Sequence, residues 1–153
     1  MSGSPFLQNS VLLAALVAWM LAQIFKVPLQ YLREGEWDWT VLVRPGGMPS
    51  SHSALITAGA HGVGLTVGFD SPVFALAVVI AMIVIYDATG VRRQAGRHAE
   101  IINTIIRDLF EGHQLNQEQL REVLGHSPIE ALVGLLLGLT VAQVLVPLLE
   151  GLI

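Results

Sequence analysis

The chain has 153 residues, 53% of them hydrophobic and only 13% charged, against about 25% charged in soluble domains; mean hydropathy is +0.63. That balance excludes an ordinary water-soluble domain, and the length leaves room for a single domain over 1–153, since domains run to about 100–150 residues. A formal net charge of −4 with eight Lys and Arg argues against a nucleic-acid partner, and the lack of cysteine removes disulfides, thiolate metal sites and thiol catalysis.

Four apolar stretches follow in chain order: Ser10 to Leu29, broken only by Gln23 and Lys26; Ser53 to Phe69, rich in Gly, Ala, Leu and Val; Pro72 to Ala88, uncharged before Asp87; and Ile129 to Leu149, with Glu130 at its start. Each is near the roughly 20 residues a helix needs to cross about 30 Å of hydrocarbon. Without water, backbone groups must be satisfied internally, and no alternating segments suggest a barrel, so these stretches are expected to be helices. No Lys or Arg occurs in the first 25 residues, so the first stretch is expected to be a retained span, not a cleaved signal peptide. Gly134 and Gly138, and the glycines of the second stretch, allow close helix packing inside the bundle.

Between the third and fourth stretches, Val91, Ala95, Ile102, Ile105, Ile106 and Leu109 recur at helical steps among Arg92, Arg93, Arg97, Glu100, Arg107 and Asp108. This pattern predicts an amphipathic helix at the membrane interface. A second short helix is expected from Asn116 to Gly125. The expected fold is therefore all-α: a polytopic membrane helix bundle with four transmembrane helices plus one or two interfacial amphipathic helices. Lys26, Arg33 and Arg44 lie at or beyond the end of span one and before span two, and the other five cations between spans three and four. An up-down order puts both basic loops on one side, which the Lys/Arg bias makes cytoplasmic, with both termini non-cytoplasmic.

Polar chemistry gathers on that same side. Arg44-Pro45-Gly46-Gly47-Met48-Pro49-Ser50-Ser51-His52 is a turn of glycines and prolines leading into a serine-capped helix. A helix N-terminus offers unpaired N–H groups to an anion, Arg44 adds a bidentate phosphate donor, and His52 stands in the first turn, or is simply an interfacial histidine. Before the fourth span, His126 precedes Glu130 by four residues, a spacing that lets a carboxylate orient an imidazole nucleophile. Ser127-Pro128 followed by Glu130 is equally a capping box, and both readings of Glu130 stay open. Asp87 ends the third span and could pair with Arg92 or Arg93, which could instead clamp phosphate. His61 is expected to be a hydrogen-bonded bundle histidine, and His98 and His113 surface residues. The histidine spacing offers no zinc site, and no metal or cofactor is expected.

The runs Gly47-Met48-Pro49-Ser50-Ser51-His52-Ser53-Ala54, Tyr86-Asp87-Ala88-Thr89-Gly90-Val91-Arg92-Arg93 and Leu124-Gly125-His126-Ser127-Pro128 resemble the divergent branch of the type 2 phosphatidic acid phosphatase superfamily, related to vanadium-dependent haloperoxidases. The resemblance implies phosphate-ester hydrolysis through a phosphohistidine, with His126 as nucleophile, Glu130 as its orienting partner and His52 as acid for the leaving group. It implies phosphate binding by Arg44, Ser50, Ser51, Arg121 and, in varying degree, Lys26, Arg92 and Arg93, with Asp87 in support. This sequence departs from the wider pattern: Ser51 replaces glycine, Glu130 replaces aspartate, and Lys26 stands eighteen residues before Arg44.

The functional expectation is a membrane lipid phosphate or diphosphate phosphatase acting at the cytoplasmic interface, independent of metal and open to vanadate. The competing expectations are a non-enzymatic bundle that binds anionic lipid or a partner protein, and a lipid phosphotransferase. Its expected partners are a lipid phosphate substrate, the membrane and, by completing the bundle, a second copy of the chain. An imidazole separation of roughly 5–9 Å between His52 and His126, with arginine heads converging between them, would suit one phosphate bridged by hydrogen bonds of about 3 Å.

Overall fold

The computed structural model describes residues 8–42, 46–109 and 126–152. Among these the regular structure is helical: α1 (Ser10–Glu34), a 3-10 turn (Trp39–Leu42), α2 (Ser51–Val67), α3 (Pro72–Thr89), α4 (Val91–Leu109) and α5 (Pro128–Glu150). Side-chain caps start four of the five helices. The oxygens of Asn9, Ser50, Ser71 and Ser127 each accept an N–H from the first turn of α1, α2, α3 and α5, satisfying donors that a helix leaves orphaned.

α1 runs past the expected boundary at Leu29, carrying Pro28 inside it, and stops at Gly35 with φ 75°. The left-handed C-terminal residue and Arg33 in the last turn are the ordinary stop signals of a helix. Pro28 is tolerated because neighbouring groups can re-satisfy the backbone it frees in a membrane helix. α2 begins at Ser51, two residues before the expected start.

Size is inverted between inside and outside. The core consists of Ala14, Ala15, Ala18 and Ala22 of α1, Ala54 and Ala58 of α2, and Ala142 and Val146 of α5. Large apolar side chains lie outside, among them Trp19, Met20, Ile24, Leu76, Met82, Ile83, Leu132 and Leu136. Lipid is as apolar as leucine, so membrane helices gain from close backbone approach at small residues and leave large ones to the acyl chains. Gly134 and Gly138 lie directly on α2: a Cβ at 134 would collide with the Ser50 carbonyl oxygen, and one at 138 with that of Ala54. The glycine pair therefore serves packing within the chain.

Among the described residues three helices, α1, α5 and the run that α3 begins, are long and apolar enough to cross a membrane. α2, at 17 residues, is shorter and spans about 25 Å. It packs on α1, α3 and α5, whereas α1 and α3 both touch α2 but not each other. α4 follows α3 after Gly90 and contacts only α3 among the described helices; its Ile101, Ile102 and Ile105 are exposed. The short helix expected from Asn116 to Gly125 lies outside the described residues.

Candidate active site

The antiparallel order of α1, α2, α3 and α5 brings the C-terminal turns of α1 and α3 beside the N-termini of α2 and α5. Two backbone bonds lock this end. The Ser50 N–H donates to the Glu130 carbonyl at 2.9 Å, and the His126 N–H donates to the Ala88 carbonyl at 3.0 Å. They fix the start of α2 to the first turn of α5, and the residue before α5 to the end of α3.

His52, in the first turn of α2, and His126, just ahead of α5, have ring centroids 6.1 Å apart with planes inclined at 59°. His52 is exposed and His126 is buried. The His126 Nδ1 lies 3.3 Å from the Glu130 Oε2. The same Oε2 accepts the Ser127 N–H at 3.1 Å, while the Glu130 N–H donates to the Ser127 Oγ at 3.3 Å. The two readings of Glu130 are thus not exclusive. One carboxylate oxygen closes the capping box and holds the imidazole.

Ser50 is fully buried as the cap of α2; its Oγ accepts the Ser53 N–H at 3.3 Å and the Ser53 hydroxyl at 3.1 Å. Ser51 is also buried. The amides of Ser51 and His52 fall in the first turn of α2, where N–H groups have no intrahelical acceptor and the helix dipole is positive. Ahead of them, Gly46 and Gly47 adopt φ of 95° and 82°, a region costly for residues with a Cβ.

Lys26 comes to this end from α1. It is only 3% exposed; a Cβ on Gly47 would meet its Cδ and Cγ at 3.8 and 3.9 Å, and its charge lies close enough to Glu130 to interact. An ammonium held this far from water is expensive without a counter-charge, and Glu130 supplies one here. Arg33, seven residues on and thus on the same face of α1, reaches within 4.0 Å of the Glu130 Oε1. Sequence reasoning used Arg33 only for orientation; its spacing from Lys26 was the signal for a place here.

Asp87 and His52 line one small cavity of about 210 Å³ with Ile83, Val84 and Ala88. Arg44 and Arg121 lie outside the described residues, and for Arg92 and Arg93 only the helical backbone is described. His61 binds Gln143 of α5, Nε2 to Oε1 at 2.8 Å, as expected of a hydrogen-bonded bundle histidine. His98 is exposed on α4, and His113 is outside the described residues. Among the described residues no three His, Asp or Glu side chains come together to hold a metal ion. Tyr31, Trp37 and Trp39 stack beside the end of α1, with centroids 4.6 and 6.0 Å apart.

The sequence matches the Divergent PAP2 family over residues 7–141. The chain belongs to that family. A relative from Bacillus subtilis (strain 168), described as the uncharacterized membrane protein YuiD, is 41% identical over 150 residues, covering 91% of this chain and 95% of its own. No solved structure matches. Family membership and the apolar helices together make this an integral membrane protein, and the histidine end carries the motifs through which the family resemblance was read.

Proposed function

We propose that this member of the divergent PAP2 family is a lipid phosphate or diphosphate phosphatase acting through a phosphohistidine. The observation that carries the reading is the pair of imidazoles, from positions 74 residues apart in the chain (126 minus 52), held 6.1 Å apart beside a buried lysine. With its Nδ1–H donated to Glu130, His126 presents Nε2 as the nucleophile. Nε2 attacks phosphorus, the bond from phosphorus to the lipid oxygen breaks, and His52 delivers a proton to that oxygen. His52, now neutral, takes a proton from water as the water attacks phosphorus; the N–P bond breaks and phosphate leaves. Lys26 and the first-turn amides of α2 stabilise the charge on the transferring group. Arg44, two residues before Gly46, and Arg121, five before His126, join them in this proposal, as do Arg92 and Arg93 from the start of α4.

In this reading α2 is a fourth span within a single domain, its short length offset by the helices around it, and α4 lies along the interface with its isoleucines toward lipid. The basic loops place the site at the cytoplasmic face. The Tyr31, Trp37 and Trp39 stack supports an interface at that end, where aromatic belts gather. Two copies of the chain could associate through the exposed face of α3.

The test is phosphate release from phosphatidic acid by purified protein in chelator. Wild type should turn over and be inhibited by vanadate, and His126→Ala should be inactive. Vanadate-insensitive or His126-independent release would remove the proposed nucleophile. Headgroup binding with no release would favour the non-enzymatic bundle, and transfer to an alcohol without hydrolysis would favour a phosphotransferase.

A further inference from the structure

The histidine end accounts for one end of the bundle. On the side where α1 and α3 fail to meet, α2 is left uncovered, and a groove of about 800 Å³ runs along it. Its floor is Ile56, Gly59, Ala60 and Val63, and one wall is Ala77 and Ile80 of α3. His52, Ile56, Gly59, Ala60 and Val63 follow one another at three- and four-residue steps and therefore form a single stripe on α2. The cavity at His52 is walled by Ile83 and Val84, one turn of α3 from Ile80. The groove thus begins one helical turn beyond the candidate active site on both helices. From Ile56 to Val67 it extends about 16 Å by helical rise, with Val11 and Leu12 of α1 as its other wall and Gln8, Asn9, Ser10 and Glu150 at its far, polar end.

We infer that this groove holds one hydrocarbon chain of the lipid whose phosphate is received at His52 and His126. The inference rests on the phosphatase reading for the position of the phosphate, and on the groove itself for the chain. The surroundings decide the occupant: the part of the trough nearest the site, from Ile56 to Val63, is apolar and opens onto acyl chains, and polar groups line only the end farthest from where the headgroup would be held. Since lipid is as apolar as the groove, the chain gains alignment there and little transfer free energy. The groove therefore acts on how the phosphorus is presented to His126, an effect carried by orientation. Gly59 keeps the floor low, and Ala77 keeps the wall thin.

Ala77→Phe, a change on α3 away from the proposed catalytic groups, fills the trough. The protein is placed in nanodiscs with phosphatidic acid bearing a diazirine in one acyl chain, alongside a phosphatidylcholine probe with identical chains. Photolabelling by the phosphatidic acid probe should concentrate at Ile56, Val63 and Ala77, above the equally lipid-facing Leu132 and Leu136 of α5. It should exceed labelling by the phosphatidylcholine probe and fall in Ala77→Phe. In the same variant, kcat/KM for dipalmitoyl phosphatidic acid should fall about tenfold, the scale of a misplaced substrate, while a soluble short-chain phosphate ester is unaffected. Labelling spread evenly over α5, labelling independent of headgroup, or a groove closed by a second copy would each overturn the inference. The two readings fail separately. Phosphate release with scattered labels removes the groove and leaves the hydrolase, and concentrated labels without release from any substrate do the reverse.

Discussion

α2 and α3 are neighbours of nearly equal length and opposite character. Eight of the 17 residues of α2 are buried, every one Ser, Thr, Ala or Gly; two of the 18 in α3 are, both alanine, while Val73, Leu76, Val79, Ile80, Met82 and Ile83 are exposed. Hydrophobicity alone would have put α3 inside. In lipid the order reverses, because depth in the bundle is set by how closely backbones approach and not by escape from water. The helix that others approach most closely is also the one whose N-terminus faces the two histidines. Rigid placement and the proposed chemistry therefore coincide on α2, and α3 is a wall against lipid.

The sharpest break of that contrast is at the reacting groups. His126→Ala should lower phosphate release by at least about a thousandfold and His52→Ala by about 10²–10⁴-fold, whereas Met82→Ala on the lipid side of α3 should leave the rate unchanged; a malachite-green phosphate assay reads all three. Next comes packing. Gly134→Leu drives a side chain into the Ser50 backbone and should destabilise by about 3 kcal/mol, the upper part of the range for overpacking, seen as a lower Tm in detergent. The same enlargement at exposed Ala75 of α3 should stay within about 0.5 kcal/mol, and equal losses at both sites would erase the distinction between the helices.

Lys26→Met keeps the stem that lies on Gly47 and removes the ammonium. It should lower kcat/KM about a hundredfold, as loss of one transition-state donor does, with little change in Tm because Arg33 and His126 still face the Glu130 carboxylate. A fall in Tm matching the fall in activity would make Lys26 structural. A modest stability effect is expected at Glu130→Gln. Glutamine can still close a capping box, so Tm should move by less than the loss of a whole cap, about 1 kcal/mol, while phosphate release drops because the amide no longer stabilises a positively charged His126 ring. Unchanged release would leave Glu130 as a cap alone.

Much of the candidate site was legible because its signals are local. Ser50 as cap, the Ser127–Glu130 box and the glycine pair at 134 and 138 each depend on spacing within a few residues, and each is found in place. The distance between the His52 and His126 rings, 6.1 Å, falls in the range expected, since the up-down order of helices brings their ends together; the arginines expected between them, Arg44 and Arg121, lie outside the described residues. What was misjudged lies at helix ends and where helices meet. The end of α1 was set at Leu29, where the apolar stretch gives way to polar residues, whereas the helix runs on to the Arg33 and Gly35 stop signals. Arg33 was overlooked as a neighbour of Glu130, because only the docking of α1 on α5 brings them together. The second stretch was set at Ser53 to Phe69, and α2 runs over Ser51–Val67, the same length shifted two residues toward its serine cap.

The interior built from alanine, glycine and serine has a practical consequence. The largest side chains under 2% exposed are Val146, Ser50 and Ser53, so truncation, the usual first probe of a protein, finds almost nothing there to remove. A systematic alanine scan would map the lipid-facing shell and pass silently over the contacts that set the geometry of the histidine end. Those positions report only when they are made bigger, and a graded series from glycine through serine to valine would measure the spacing between backbones as a ruler does.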